Sequence, residues 1–370
     1  MGFALSAAIL EVVLRFLPVS GGAYTTEVDA GEPILHFEPN RTYTAAVGPR
    51  LEYANRGKIN NAGWVSDQTY DSTSGAPLLA LIGDSYVEAF IVPYAASVQG
   101  RLATAVGPSR RVYAFGMSGW ALSQYLAVAE FVGRRYRPSA IVVNIVGNDF
   151  DESLLRYKNA RGFHYFRDFP DSALKLERID YSRKWHYWLV RHSALWRYAL
   201  GHLRLVSRLQ ALGSAFRRNA PTEPPKNDYV GNVPRVVEPA RVAWSKRAVD
   251  EFLAELPQRT GLAPDRILVV VDGMRPQLYD PVELARSETS YFGQMREYLM
   301  RDARERGFEV VDMQPVFVAA SGAQRTPLEF PHDGHWNGTA HGLVADAVRH
   351  SKVFTAFVAP NPAPVPAPGR

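Results

Sequence analysis

Residues 77–85 read PLLALIGDS, and this stretch decides the fold class. Its apolar residues, 78–82, are typical of a strand that is buried on both faces, and the Gly-Asp-Ser after them ends that strand. Further runs of this kind lie at 111–115, 140–146, 266–271 and 309–312, and helical spacing of apolar residues marks 95–106, 122–136, 240–256, 291–306 and 338–350. This alternation predicts an α/β fold, a three-layer α/β/α sandwich around a parallel sheet of about five strands.

The predicted core comprises residues 76–150 and 241–350, and the other segments surround it. Residues 20–75 have few long apolar runs, so we expect an irregular or β-rich wrapping segment. Residues 351–370 are expected to be a Pro-rich tail, because five prolines fall within 359–370.

Residues 151–240 interrupt the core and predict a helical, aromatic-rich insertion or cap. Trp185, Trp188 and Trp196 recur there at helical spacing, so we expect them to form the buried stripe of a cap over the strand ends. The alternative is that these aromatic side chains stack on the sugar rings of a substrate. Because the insertion follows directly after a strand end, we hypothesise that it shapes the substrate entrance and sets specificity.

Residues 1–19 predict an apolar helix that also carries Glu11 and Arg15. One interpretation is the end of a membrane anchor, which would place the protein on the periplasmic or cell-surface side of a membrane. The other is an amphipathic helix that packs on the protein or lies on a membrane.

The composition is that of a folded protein, with 46% hydrophobic and 21% charged residues. The absence of cysteine excludes disulfides, thiolate metal sites and cysteine nucleophiles. The net charge is +5, and residues 151–218 contain 14 Lys and Arg against 6 Asp and Glu. No nucleic-acid recognition motif accompanies this basic segment, so nucleic acid is not an expected partner.

Gly83-Asp84-Ser85 is the first candidate for chemistry. A serine at the carboxyl end of a strand, entering a helix, lies near backbone N–H groups that favour developing negative charge. The alternative is simple helix capping by Asp84 or Ser85. The G-x-S-x-G pattern of α/β-hydrolases does not surround Ser85.

Asp333-Gly334-His335 could supply the base that a serine nucleophile needs, with Asp333 orienting the imidazole. The alternative is a surface loop before the last helix, capped by Asn337. His332 and His341 are competing candidates for the base. No metal-ligand spacing of the H-E-x-x-H type is present, so neither a metal nor another cofactor is expected.

Two further strand ends carry candidate oxyanion donors. Gly119 lies in the turn after 111–115, where a backbone N–H can approach a substrate closely. Asn148 follows 140–146 and can offer its side-chain amide, while Asp149 is adjacent to it. The alternative at both places is ordinary turn chemistry.

Together, these four blocks resemble the SGNH hydrolase superfamily, which includes the GDSL esterases and lipases. The resemblance covers the core and not the insertion, and it implies the three-layer fold predicted above. It also implies that Ser85 is the nucleophile, His335 the general base and acid, and Asp333 its orienting group. The implied oxyanion donors are the backbone N–H groups of Ser85 and Gly119 and the amide of Asn148. In this assignment, Gly83, Asp84 and Asp149 support the loops.

The resemblance implies a serine-dependent ester hydrolase that removes acetyl groups from a carbohydrate or a related ester. Asp333 and His335 are two residues apart, whereas the family usually spaces them by three. The resulting D-x-H-W block is similar to that of alginate O-acetyltransferase-like proteins, so an O-acyltransferase acting on cell-envelope or extracellular polysaccharide is the alternative. A non-catalytic polysaccharide-binding protein is the second alternative.

Overall fold

The computed structural model describes residues 2–29, 31–168, 173–181, 187–205, 228–275, 277–324, 327–331 and 333–359. The strands are β1 (Arg41–Val47), β2 (Tyr53–Ile59), β3 (Leu78–Gly83), β4 (Arg111–Gly116), β5 (Ala140–Ile145), β6 (His164–Arg167), β7 (Lys175–Arg178), β8 (Tyr229–Val230), β9 (Val233–Pro234), β10 (Ile267–Val271), β11 (Glu309–Asp312), β12 (Glu329–Phe330) and β13 (Asp333–Trp336). The α-helices are Gly2–Phe16, Ser85–Glu88, Val98–Val106, Leu122–Tyr136, Tyr187–His192, Ala194–Arg197, Pro239–Thr260, Pro281–Glu288, Tyr291–Glu305, Met313–Gln324, Gly338–Arg349 and Lys352–Val358.

A five-stranded sheet with the order β11-β10-β5-β3-β4 forms the centre of the fold. Every neighbouring pair in it is parallel. Ile82 of β3, for example, lies opposite Phe115 of β4 and Val143 of β5. The five apolar runs in the sequence are these five strands, so the predicted parallel sheet is confirmed.

The sheet separates two helical layers, as the near-continuous apolar strands predict. Leu78, Ala80 and Ile82 face one buried cluster, and Leu79 and Leu81 face the other. The first cluster includes residues of the helices Leu122–Tyr136, Pro239–Thr260 and Tyr291–Glu305. The second includes residues of Val98–Val106, Met313–Gln324, Gly338–Arg349 and Lys352–Val358.

The strand order places a crevice at the carboxyl end of β3. From β3, the chain adds β4 on one side and then β5 on the other. In open parallel sheets, ligands bind beyond the carboxyl ends of strands where the direction of winding reverses. Ser85, Gly119 and Asn148 follow the three strands that meet at this point.

The insertion contains more β-structure than predicted, and two of its tryptophans are exposed. β6 and β7 form an antiparallel hairpin, and the described helices, Tyr187–His192 and Ala194–Arg197, are short. Trp188 is 63% exposed and Trp196 is 39% exposed, so the prediction of a buried stripe is wrong for both. Trp185 lies outside the described residues. The wrapping segment contains the antiparallel pair β1–β2.

The predicted tail begins later than residue 351. Residues Lys352–Val358 form a helix, capped by Ser351, whose hydroxyl accepts a hydrogen bond from the N–H of Phe354. Val353, Phe354 and Phe357 are buried in the second cluster. Their helical spacing places these three side chains on one face, and the burial of that face stabilises the helix. The prolines that follow favour extended backbone only after residue 359. Residues 360–370 lie outside the described part of the chain.

The amino-terminal helix, Gly2–Phe16, is joined to the insertion on its polar side. The Glu11 carboxylate accepts hydrogen bonds from the Ser193 hydroxyl (2.8 Å) and from the N–H groups of Ala194 and Leu195. Within the described residues, no helix has both the length and the apolarity needed to cross a membrane. The anchor and the extracytoplasmic location stay predictions. The exposed large apolar side chains of this segment are Leu5, Ile9, Leu10, Val12, Val13, Phe16 and Leu17.

Candidate active site

Ser85 lies at a sharp turn between β3 and the short helix Ser85–Glu88. Gly83 must lack a side chain here, because a Cβ atom would lie 2.4 Å from Cγ2 of Val87. Asp84 caps the helix, with its Oδ1 accepting a hydrogen bond from the N–H of Tyr86 at 3.0 Å. The turn therefore places Ser85 at the carboxyl edge of the sheet and at the first position of a helix. At this position, backbone N–H groups have no partner within the helix.

Ser85, His335 and Asp333 form a continuous hydrogen-bonded chain. His335 Nε2 lies 2.7 Å from Ser85 Oγ, and His335 Nδ1 lies 2.5 Å from Asp333 Oδ1. Asp333 Oδ1 also accepts the backbone N–H of His335 at 2.8 Å. This is the arrangement of a Ser-His-Asp triad, formed by residues 250 positions apart in the sequence.

The protonation state of His335 follows from its two neighbours. Partial burial lowers the pKa of His335, but the hydrogen bond and charge of Asp333 outweigh this, and the net pKa is raised. Burial conversely raises the pKa of Asp333, while the contacts with His335 bring its net pKa below the ordinary value. Asp333 is therefore an anion that accepts Nδ1–H, which leaves Nε2 to accept the Ser85 hydroxyl proton.

The segment that carries His335 is a strand and not the predicted loop. β13 pairs with β12 in a short antiparallel ladder with an irregular register. The carbonyl of Gly334 accepts hydrogen bonds from the Tyr86 hydroxyl (3.0 Å) and from Arg275 Nη1 (2.9 Å). These two bonds hold the backbone next to His335 in place.

A buried ion pair that no sequence motif predicted contacts this strand. Arg275 and Asp272 each have side chains only 3% exposed, and Arg275 Nη2 donates to Asp272 Oδ2 at 2.6 Å. Asp272 Oδ1 also accepts the indole N–H of Trp336 at 3.0 Å. The available signal was Asp272 at the carboxyl end of β10, the same type of position as Ser85 and Asn148.

Of the competing histidines, His341 is not the base in this arrangement. It is 2% exposed, and burial lowers its pKa to about 3, so it is neutral at physiological pH. Its ring packs edge-on against Trp336, with centroids 5.5 Å apart. His332 lies outside the described residues.

Gly119 and Asn148 are brought together by Lys158 and Glu152 of the insertion. Lys158 Nζ donates to the carbonyl of Gly119 at 2.9 Å and forms an ion pair with Glu152. Asn148 Nδ2 donates to Glu152 Oε2 at 2.9 Å. An amide nitrogen carries two N–H groups, and Glu152 uses one of them. The oxyanion role of both residues stays a prediction.

Asp149 forms two hydrogen bonds next to the same loop. Its carboxyl accepts hydrogen bonds from the N–H of Val146 (2.8 Å) and from the Tyr125 hydroxyl (3.0 Å). Burial, together with the nearby charge of Asp84, raises the pKa of Asp149 well above its ordinary value. Burial also raises the pKa of Asp84, whose Oδ2 lies 3.3 Å from Ser85 Oγ, farther away than His335 Nε2.

Glu88 is a further buried carboxyl of this site, and no sequence motif singled it out. It is 3% exposed, one helical turn after Ser85, and one of its oxygens accepts the hydroxyl of Ser118. Its Oε1 atom has no hydrogen-bond partner. Burial raises the pKa of Glu88 to about 8. The available signal was an acidic residue three positions after Ser85 on the same helix.

Because of this shift, Glu88 makes the stability of the protein depend on pH. Between pH 4.5 and 8, the unfolded chain loses the Glu88 proton while the folded chain keeps it. The free energy of unfolding therefore falls as pH rises, by at most about 1.4 kcal/mol per pH unit from this group. Glu88→Gln should remove this dependence, so urea unfolding should show the variant gaining stability over wild type between pH 5 and pH 8. Equal pH slopes for both proteins would contradict the shift, and exposed Glu305→Gln is the matched control.

The Ser85–His335 pair opens into a cavity of about 610 Å³. Its walls come from the segment after the amino-terminal helix, β1, residues 89–92, the insertion and β12. Among the described residues, no group of three or more His, Asp or Glu side chains is arranged to hold a metal ion.

The comparisons with known proteins give structural matches only. No family model matches the chain, and no curated protein sequence matches it. Among the solved structures, the chain is similar to a lipolytic protein of the G-D-S-L family from Veillonella parvula DSM 2008, with 10% identity, a TM-score of 0.38, and coverage of 74% of this chain and 96% of that one. It is similar to TesA, with 12% identity, a TM-score of 0.40, and coverage of 76% and 99%.

A third match is a two-domain esterase (CEX) active on acetylated mannans. The identity is 13% and the TM-score 0.39, and the match covers 77% of this chain but only 50% of the esterase. At such values, structural similarity assigns no function, and the chemistry of this chain follows from its own site.

Proposed function

We propose that this chain is a serine-dependent ester hydrolase of the SGNH type. The observation that supports this proposal is the hydrogen-bonded chain Ser85–His335–Asp333, of which Ser85 and His335 line a cavity. His335 takes the proton of Ser85 as the hydroxyl attacks an ester carbonyl, and it then protonates the leaving alkoxide. Water, deprotonated by His335, releases the acid from the acyl-enzyme. A pure binding protein would not need these three side chains in this order.

The test is turnover of p-nitrophenyl acetate and p-nitrophenyl octanoate by the full chain, with an oligosaccharide acceptor added. Free acid among the products supports hydrolysis. An acylated oligosaccharide would instead support the alternative of an O-acyltransferase, which uses the same residues with a sugar hydroxyl in place of water. No turnover of either ester by the folded chain would contradict both.

We also propose that Asn148, with the N–H groups of Ser85 and Gly119, binds the oxyanion. Its support is the cluster in which Glu152 and Lys158 hold Asn148 and Gly119 together. Asn148→Ala should lower kcat by about 10²- to 10³-fold with little change in KM, because the donor acts mainly on the transition state. Glu152→Gln keeps the Asn148 amide but weakens the group that holds it, so it should cause a smaller loss in kcat than Asn148→Ala. An Asn148→Ala variant with unchanged kcat would contradict the assignment.

A further inference from the structure

We infer that the cavity beside Ser85 binds an extended apolar acyl chain, so that the substrate is an ester of a medium- or long-chain fatty acid. This inference rests on the proposed function. It differs from the acetylated carbohydrate that the sequence motifs suggest, and it comes from the walls of the cavity.

The first support is the chemistry of the lining. Between the catalytic residues and the far side of the cavity, the walls are mainly aliphatic and aromatic. Residues of β1, of the segment after β3 and of the insertion contribute to them, including Ala45, Phe90, Ile91, Val190, Leu200 and Phe330. Ligand sites of this size, lined in this way, bury most of an apolar ligand.

The second support is that several polar side chains in these walls already have partners within the protein. The hydroxyl of Tyr24 donates to the carbonyl of Arg191 at 3.1 Å, and Ser20 Oγ accepts the N–H of Ala46 at 2.9 Å. The hydroxyl of Ser118 is bound to Glu88. A sugar, by contrast, requires polar groups that are aimed at its hydroxyls, since each unpaired buried hydroxyl is costly.

The third support is the size of the cavity. Its 610 Å³ far exceeds what an acetyl group needs. A methylene takes up about as much room as one water molecule in the liquid, about 30 Å³. An acyl chain of octanoate length therefore fits with space to spare.

The fourth support is the apolar surface next to these walls. Trp188, 63% exposed, shares a short helix with Tyr187 and Val190, which line the cavity. The amino-terminal helix, which exposes apolar side chains such as Phe16, is followed by Val19 and then by the wall residues Ser20 and Gly21. An apolar chain would therefore meet apolar surface both outside and inside the cavity.

The experiment measures kcat/KM of the full chain for p-nitrophenyl acetate, butanoate, octanoate and decanoate. Each methylene that is buried should raise kcat/KM by up to about fourfold, so the six additional methylenes of octanoate should raise it over acetate by up to about 4 × 10³-fold. A flat profile, or a preference for acetate, would overturn the inference while leaving the ester hydrolase intact. No turnover of any ester would instead refute the proposed function. A second series of alkyl acetates, whose long chain is on the alcohol, is measured alongside, and a chain-length effect confined to that series would also overturn the inference.

Ala45→Phe tests whether this cavity is the site. A phenyl ring on Ala45 fills part of the cavity, so octanoate turnover should fall at least tenfold while acetate turnover persists. Ala54→Phe, the same change at an exposed position of the neighbouring strand β2, is the control. If Ala45→Phe does not fold, Leu200→Asn, which makes the wall polar, replaces it and should show the same selective loss. Equal losses for acetate and octanoate in a folded variant would overturn the inference.

Discussion

Ser85→Ala should abolish ester turnover, with a loss in kcat on the order of 10⁴-fold or more. Ser85 Oγ is the atom that lies 2.7 Å from His335 Nε2 and faces the cavity, so its removal leaves no nucleophile for an acyl-enzyme. Residual turnover would reflect the oxyanion donors and binding alone. The measurement is p-nitrophenyl ester hydrolysis by wild type and the variant at matched concentrations.

Ser97→Ala is the control for this change. Ser97 also begins a helix, where its hydroxyl accepts the N–H of Gly100, but it has no contact with His335. Its loss should cost about 1 kcal/mol of stability and leave kcat unchanged. A Ser85→Ala variant with most of its activity would mean that another group attacks the ester.

Asp333→Asn should lower kcat by about 10⁴-fold and also shift the pH profile. His335 acts as a base only when neutral, so kcat/KM rises as pH rises through the His335 pKa. Burial lowers this pKa, and Asp333 more than offsets that effect, so the wild-type rise should be centred above the ordinary value of about 6.5. Without the Asp333 charge, burial lowers the pKa of His335 with less opposition. The rise of kcat/KM should therefore move to lower pH.

The measurement is kcat/KM from pH 5 to pH 9 for both proteins. Asp346→Asn, an exposed change on the helix Gly338–Arg349, controls for the loss of one negative charge and should leave the profile unmoved. A profile of Asp333→Asn that coincides with wild type would show that Asp333 does not orient the imidazole. The spacing of two residues between Asp333 and His335 would then be incompatible with the triad.

The sheet was predictable because four of its five strands, β3, β4, β5 and β10, are buried along nearly their whole length. Such strands are continuous apolar runs, and this pattern does not depend on how the neighbouring helices pack. The motif positions were predictable for a related reason. Parallel strands place their carboxyl ends at one edge, so Gly83-Asp84-Ser85 and Asn148 had to lie near one another.

The less predictable parts depend on long-range contacts. Asp272 and Arg275 become important only because Gly334 and Trp336 reach them from another part of the chain. Trp188 has the spacing of a buried stripe. In the short helix that carries it, however, Tyr187 and Val190 line the cavity, and Trp188 is exposed. Lys352–Val358 is held by packing on the second cluster, which the neighbouring prolines do not reveal.

The apolar cavity was likewise hidden in the sequence. Its walls combine β1, the segment after β3 and the insertion, and none of these has a motif that points to an acyl chain. Only their arrangement around Ser85 and His335 makes their apolar side chains a binding surface.

The most direct test of the central claim is covalent labelling with a fluorophosphonate, followed by peptide mass spectrometry. This probe reacts with a serine that is activated by a neighbouring base. The account predicts one label per chain, on Ser85, and its loss in both Ser85→Ala and His335→Ala. A folded chain that stays unlabelled, or that carries the label on another residue, would contradict the assignment of Ser85 as the nucleophile.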